Sequence, residues 1–523
     1  MSRKPIYKFA ALFFIILVSI PGLHVLVLAE GGQATTYYIP LTVKSEFCNV
    51  PSAGYPSIQS AVDEDCTTIT LTAALYTENI FLEDRSVVIK GQGPANTTID
   101  GNANGSVFIV EVNSALTLEG VTVTNGSSSI AGAGIRNLGT TRLFNTVVKE
   151  NNVSSAKGGG IFSLDTLTVE NSWIINNSSS TEGGGVFLYD TAHFTNTVIS
   201  GNVADEGGGV AVEGDYAVAT FVNTQILDNE AEIGGGIWFT SNPTSSIYNS
   251  LISNIRASEA GGAIMNGGNL QIFGSRIIGN STGKNGGLGI CGGGIINSGG
   301  AYLSSDRGVL LIDSTEIRGN YSAQDGGGIC NLSGFGSVEA EIEVYNSLIV
   351  DNTADDGGGF YSESDDLAVI ENSTVVNNNS ISQGGGISAS NLQLVNVTVS
   401  QNESPNGAGI YSSGKVKYVN TIVAGNLSGG DCSAGPSADL TSLGHNIASD
   451  NSCDLNGPGD MANINPLLGP LQNNGGPTHT TAIPSNSPAK DSADNAACPP
   501  TDQRGVIRPQ GAGCDMGAYE YNG

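Results

Sequence analysis

The sequence predicts an all-β protein: a parallel β-helix, or solenoid, with a short N-terminal capping helix and an irregular C-terminal cap. Three observations predict it. A small-residue, Gly-rich triplet followed by an aliphatic or aromatic residue recurs eleven times, spaced by 23 to 34 residues. Between triplets, an Asn is followed by an aliphatic residue at +3 and another Asn at +6. With 39% hydrophobic residues and 73 glycines in 523, the chain can build a large core, yet it is poor in helix formers and rich in β-branched residues. Internal repetition at this period means one solenoid rather than several globules.

The charge balance narrows the function. Twenty Lys and Arg stand against 49 Asp and Glu, a net charge of −29. Nucleic acid is excluded as a partner, because phosphate neutralisation needs clustered cations.

Taken in order, residues 1–29 read as a secretory signal. Arg3, Lys4 and Lys8 precede an apolar run from Phe9 to Ile20, continued by Val25 to Ala29, where cleavage is expected. An uncleaved anchor is the alternative, since the stretch approaches spanning length, but Pro21, Gly22 and His24 interrupt it. Either reading places the body outside the cytoplasm. No second segment could span a membrane as a helix, and a monomer is expected.

The eight cysteines fit an oxidising compartment. Cys48 with Cys66, Cys432 with Cys453, and Cys498 with Cys514 each close a short loop near one end of the body. Cys291 and Cys330 remain, at different offsets in neighbouring repeats, so the loops between must cooperate to join them.

Residues 46–130 read as the start of the rod. Ser57 is the N-cap candidate of a short amphipathic helix that would lie across the open end and blunt its strand edges. Residues 131–429 hold the eleven coils. A bulky apolar residue lies two positions before the first Asn (Leu143, Val169, Phe194, Phe221), and an aliphatic one three positions after it. The inward parity therefore changes across the Asn, and the chain must bend there. Asn tolerates left-handed bends, and its amide can donate and accept. The first asparagines (Asn145, Asn171, Asn196, Asn223, Asn346, Asn372, Asn396 and Asn420) are accordingly assigned to a stacked ladder at a buried bend. Three copies are degenerate: Gly274 and Ser314 replace the first Asn, and the copy at Asn249 reads one residue short. Neighbouring coils should lie about 4.8 Å apart, giving eleven coils a length of roughly 50 Å.

The run from Pro56 through Asn79, Ile89 and Gly126 resembles the start of pectin-lyase-like right-handed β-helix proteins. The repeats, with Ala260-Gly261-Gly262-Ala263-Ile264 and Phe194-Thr195-Asn196, resemble those of polymorphic outer-membrane proteins. Residues 430–523 break the period. The string Asn465-Pro466-Leu467-Leu468-Gly469-Pro470, Asn474-Gly475-Gly476-Pro477, Ser487-Pro488-Ala489, Asp502-Gln503-Arg504-Gly505 and Asp515-Met516-Gly517-Ala518-Tyr519-Glu520 resembles the choice-of-anchor region of bacterial surface β-helix proteins. Here Arg504 is expected to pair with Asp515 or Glu520. These resemblances imply a right-handed rod that is secreted or displayed at the cell surface. It would act as a non-catalytic adhesin binding glycans or other cell-surface partners.

The alternative is a polysaccharide lyase or glycoside hydrolase on the same fold, acting on acidic polysaccharide. Acidic doublets precede two Gly triplets: Asp205-Glu206 and Asp355-Asp356, with Glu230, Glu232 and Asp325 nearby in register. Such doublets are solvated edges that deter strand pairing, ligands for a divalent cation such as Ca²⁺, or a catalytic carboxylate pair. Lys157, Arg256, Lys284 and Arg318 are the neighbouring cations, and they form no catalytic pattern with the doublets. No catalytic residue and no organic cofactor is assigned. Trp173 and Trp238, with Tyr189, Tyr361 and Tyr411, are either sugar-stacking groups or packing partners.

Overall fold

A computed structural model describes residues 46–523 except 241–242, 284–290, 300–306 and 334–339, together with three upstream strands. Those strands, Ile16–Ile20, Leu23–Glu30 and Gln33–Ile39, form a separate antiparallel sheet. Residues 1–15 of the expected leader lie outside the described residues. Among the described residues, no helix is long and apolar enough to cross a membrane.

The body is a parallel β-solenoid, and one coil shows how the sequence makes it. Ile161–Ser163 follows the Gly triplet, Leu167–Glu170 ends at Asn171, Trp173–Ile175 follows the bend, and Ser178–Ser179 follows Asn177. Each strand pairs in parallel with its counterpart in the next coil: Ile161 with Val186, Val169 with Phe194, Ile174 with Ile199. Stacking the first two strands of every coil gives a broad sheet of 28 strands. The third strands make a narrow sheet of 15, and the short fourth strands make small edge sheets. Alternation puts Val169, Phe194 and Phe221 from the broad sheet against Ile174, Ile199 and Ile226 from the narrow one, all fully buried. The Phe194 and Phe221 rings stack with centroids 4.9 Å apart.

The first Asn is a corner for the reason expected. Asn171, Asn196 and Asn223 have φ of +49°, +49° and +50°, the left-handed region that Asn adopts more readily than most residues. Gly274 and Ser314 occupy the same conformation where they replace it, at +57° and +53°.

The ladder assignment needs correction. Asn145, Asn171, Asn196 and Asn223 are exposed, and Asn346 is half-buried. Some rungs do form: Asn196 donates to Asn171 at 3.1 Å, Asn223 to Asn196 at 3.3 Å and Asn420 to Asn396 at 3.1 Å. Asn372 and Asn396 are buried, but their amides donate to the C-terminal segment, to Thr501 O and Asp515 O. The buried amide column runs instead through the second Asn of the repeats, in two stretches. Asn151 donates to Asn177, Asn177 to Asn202, and Asn202 to Asn229, each at 3.0 Å. It resumes from Asn280 through Asn320, Asn352, Asn378 and Asn402 to Asn426. The first Asn points off a convex bend into solvent, whereas the second turns inward where backbone groups need partners. A third buried series joins Asn266, Asn297 and Asn331 at 2.7 and 2.8 Å.

The copy at Asn249 is not short. Asn254 takes the left-handed position that Asn176 holds three coils earlier, and Ile255 fills the ladder position, so register is kept while the amide column breaks. The Gly triplets serve close stacking. Gly158 has φ +73°, and a Cβ on Gly160 would lie 2.6 Å from Gly185 O and 3.0 Å from the Asn177 amide carbon.

The helix Ile58–Asp63 closes the N-terminal end, with Ser57 and Ser60 forming a reciprocal capping box. The Glu78 carboxylate accepts the Ile58 and Gln59 N–H groups at 3.0 and 3.1 Å. Gln59 bonds both backbone groups of Phe81, occupying the free edge of Ile80–Leu82. The three expected local disulfides, Cys48–Cys66, Cys432–Cys453 and Cys498–Cys514, are present, and the remaining cysteines, whose pairing the spacing left open, form Cys291–Cys330.

The irregular C-terminal segment does more than close the end: it turns back along the rod as a strap. Asp494, Asp515, Thr501 and Thr478 bond in turn to Asn420, Asn396, Asn372 and Asn346. Ile483, Ala489 and Met516 cover Ile422, Ala424 and Ile447 on the outer face of the narrow sheet, and Leu471 covers Leu348, Val350 and Val376. Arg504 forms its ion pair with Asp502 at 2.7 Å rather than with the Asp515 or Glu520 carboxylate, and it donates to the Glu520 backbone carbonyl. Arg508 is the partner of Glu520, at 3.0 Å, with both side chains fully buried.

Candidate functional site

The residue just before each Gly triplet forms a column along the rod. The first triplet glycine folds the chain back in the left-handed conformation, so this column faces the outward residues of the next strand. Lys157, Glu182 and Glu206 occupy successive coils, then come Ile233, Ala260 and Cys291, then Asp325 and Asp356. The structure thus brings Glu206 beside Glu182 and Asp356 beside Asp325, as partners in neighbouring coils. The two doublets lie five coils apart, about 24 Å. Among the described residues, no three His, Cys, Asp or Glu side chains converge in a way that could hold a metal ion. Asp205, Glu206, Asp355 and Asp356 are therefore not gathered into one coordination shell.

At the first acidic group, Lys157 Nζ is 3.0 Å from Glu182 and 2.5 Å from Glu213, and it sits 4.6 Å from the centre of the Phe187 ring. Burial works against the Lys157 charge, but Glu213 and Glu182 outweigh it and raise the ammonium above its ordinary range. Glu206 is pushed up to about 7, chiefly by burial and then by Glu182, with Lys157 pulling the other way. At the second group, burial and then Asp356 push Asp325 up to about 6. Gln383 donates to Asp356 at 3.0 Å, and the Tyr361 hydroxyl to Glu363 at 3.1 Å. Glu230 and Arg256 are register partners on the edge-sheet strands that end at Ile233 and Ala260, and Lys284 lies outside the described residues. Between the acidic groups the column is apolar: Ile233, Trp238, Ala260, Met265 and Ile296 form a buried strip outside the main core.

Of the aromatic residues singled out, Trp238 is 1% exposed and unavailable for stacking, while Trp173 is 39% exposed. Trp173 lies on the outer face of the narrow sheet. There the strap covers the C-terminal coils and leaves the N-terminal ones open. Two outward rows run along the open half: Val147, Trp173, Val198, Gln225, Leu251 and Arg276, beside Lys149, Ile175, Ser200, Leu227, Ser253 and Ile278. Sequence reasoning missed this division because nothing periodic marks where the strap lies. His445 takes the left-handed corner of the last coil, and its ring nitrogen meets Ser492 O at 2.8 Å.

No known protein family and no curated protein matches the sequence. Among solved structures, the chain is similar to the catalytic domain of a GH87 α-1,3-glucanase in complex with nigerose. That likeness is 15% identity over 79% of this chain and 69% of that one, with a TM-score of 0.31. A variant of the same domain in complex with tetrasaccharides gives 14% identity and a TM-score of 0.25. A superposition of this quality carries no argument about the chemistry of this chain.

Proposed function

We propose that the protein is an extracellular, non-catalytic rod that binds glycans through the open half of the narrow sheet. The observation that carries this reading is that face itself: a flat, regularly spaced surface that pairs an exposed Trp173 and outward aliphatics with Gln225, Ser200 and Ser253. Sugar rings present apolar faces edged by hydroxyls, which such a surface matches. Four disulfides support an oxidising, extracellular setting. The test is binding to a panel of neutral and acidic polysaccharides, with and without Ca²⁺, while new reducing ends and unsaturated products are followed. Saturable binding that weakens at least tenfold in Trp173→Ala, with no product, is the expected result. Binding indifferent to Trp173 overturns the reading.

A second reading, glycoside hydrolysis at Glu182 and Glu206, is favoured by one observation. These two carboxyls sit in adjacent coils, about 4.8 Å apart at the backbone. One is raised to about 7, as a general acid requires, and the other is held by Lys157. Polysaccharide cleavage lost in Glu206→Gln would establish it in place of the first reading.

A further inference from the structure

The open track on the narrow sheet ends at Arg276, where the leading loop of the strap meets the sheet. A hollow of about 410 Å³ lies there, lined by Arg276, Glu316 and Arg318 from the sheet and by Pro477, Thr478 and His479 from the strap. In a chain with 20 Lys and Arg against 49 acids, two guanidinium groups from neighbouring coils meet at this point. Glu316 holds both. Its carboxylate accepts from Arg276 Nε at 2.9 Å and from Arg318 Nε at 2.6 Å, and Asp351 accepts from Arg318 Nη1 at 2.5 Å. Burial opposes the Glu316 charge, but the two arginines outweigh it and hold the carboxyl below its usual range, so the clamp stays ionised.

The clamp leaves a definite set of groups free. Both Nη atoms of Arg276, Nη2 of Arg318 and the ring nitrogens of His479 make no hydrogen bond among the described residues. The oxygen atoms of the wall are already engaged. Ser275 Oγ donates to Phe273 O, Ser314 Oγ to Asp313, and Thr478 Oγ1 to Asn346 O. Thr478 Oγ1 also accepts from Gln503 at 2.9 Å. The hollow therefore offers N–H donors on fixed forks, and a ligand must bring the acceptors. Guanidinium forks held at Nε lose little side-chain entropy on binding and match the oxygen spacing of an oxyacid group.

We propose that this hollow is a binding site for the oxyanion group (carboxylate, phosphate or sulfate) of an extracellular ligand, gripped by Arg276, Arg318 and His479. The volume admits a group the size of one sugar or one ester headgroup. Because a third of the lining residues belong to the strap, the bound anion also ties the strap to the sheet. The site stands apart from the glycan reading, although an anionic glycan lying along the open track would engage both.

The test is calorimetric titration of the full chain with inorganic sulfate, inorganic phosphate and glucuronate, with glucose as the neutral control. At least one oxyanion should bind saturably with one-to-one stoichiometry, and glucose should not. The preferred anion tells a tetrahedral from a planar source. Arg276→Gln should weaken binding at least tenfold and His479→Ala should weaken it measurably. Arg142→Gln, which removes a comparably exposed arginine paired with Glu170 on the broad sheet, should leave it unchanged. Absence of saturable binding by all three anions overturns the proposal, and so does equal loss in Arg142→Gln. Anion binding lost in Arg276→Gln, alongside a blank polysaccharide panel, keeps this site and removes the glycan reading. Polysaccharide binding with no anion response removes this site alone.

Discussion

Removing one rung of the buried amide column should cost far more than removing one exposed corner amide. Asn352 is fully buried. Its Nδ2 donates to Asn378 Oδ1 at 2.9 Å and to Ile317 O at 3.0 Å, and its Oδ1 accepts from both the side chain and the N–H of Asn320 at 2.9 Å. Four such bonds at about 1 kcal/mol each put Asn352→Ala near 4 kcal/mol. The orphaned Asn320 N–H adds about 1 kcal/mol or more, since the residue is buried. Asn171 is exposed, and its side chain accepts one bond, from Asn196. Its φ of +49° is what matters, so Asn171→Ala should cost about 1–2 kcal/mol, and Asn171→Gly close to nothing. Urea denaturation followed by circular dichroism measures the midpoints, and amide exchange around Asn320 locates the damage, because a solenoid can lose coils locally. The reasoning is refuted if Asn352→Ala lies within about 0.5 kcal/mol of wild type, or if Asn171→Ala matches it.

Three further outcomes are expected. Glu206 and Asp325 have pKa values raised to about 7 and about 6, so they bind protons more tightly when folded; the stability this contributes is complete below about pH 4 and is lost as pH rises through 6 to 7. Thermal melting should therefore be higher at pH 5 than at pH 8, and Glu206→Gln should flatten that slope; an unchanged slope contradicts the assignment. Arg508→Ala leaves Glu520 buried and unpaired, at about 3–5 kcal/mol, and should free the strap, seen as faster proteolysis after Ile447 and dye binding at Leu348, Val350 and Val376. Reducing Cys291–Cys330, whose partners are 39 residues apart, should remove up to about 4 kcal/mol by the loop-closure argument, read as a lower denaturation midpoint in Cys330→Ser.

Much of the fold was legible because one residue type does one geometric job in each coil. The inward residues before and after each corner Asn, the capping Ser57 and the local cysteine pairs all followed from spacing. The ladder was misplaced because Asn171 and Asn177 are the same residue type six positions apart, and identity alone does not say which bend is convex. Asn254 misled for the same reason: it is an asparagine at a left-handed position beside an Ile255 that breaks the column. The strap was illegible because its backbone is irregular and its partners, such as Thr374 with Gln503, are 129 residues apart. The acidic groups were visible as doublets, but their real neighbours, Glu182 with Glu206 and Asp325 with Asp356, are set by coil stacking rather than by sequence adjacency.

Pairwise distances between spin labels on one outward row of the broad sheet test the central claim most directly. Thr168, His193, Thr220, Ser246, Gln271, Leu311, Glu343, Val369 and Gln393 are successive register partners. Labels at 168 and 271 should lie about 19 Å apart, and labels at 168 and 393 about 38 Å, growing by roughly 4.8 Å per coil. Distances that fail to rise in proportion to coil number would contradict a single stacked rod, and with it both binding surfaces described on its narrow sheet.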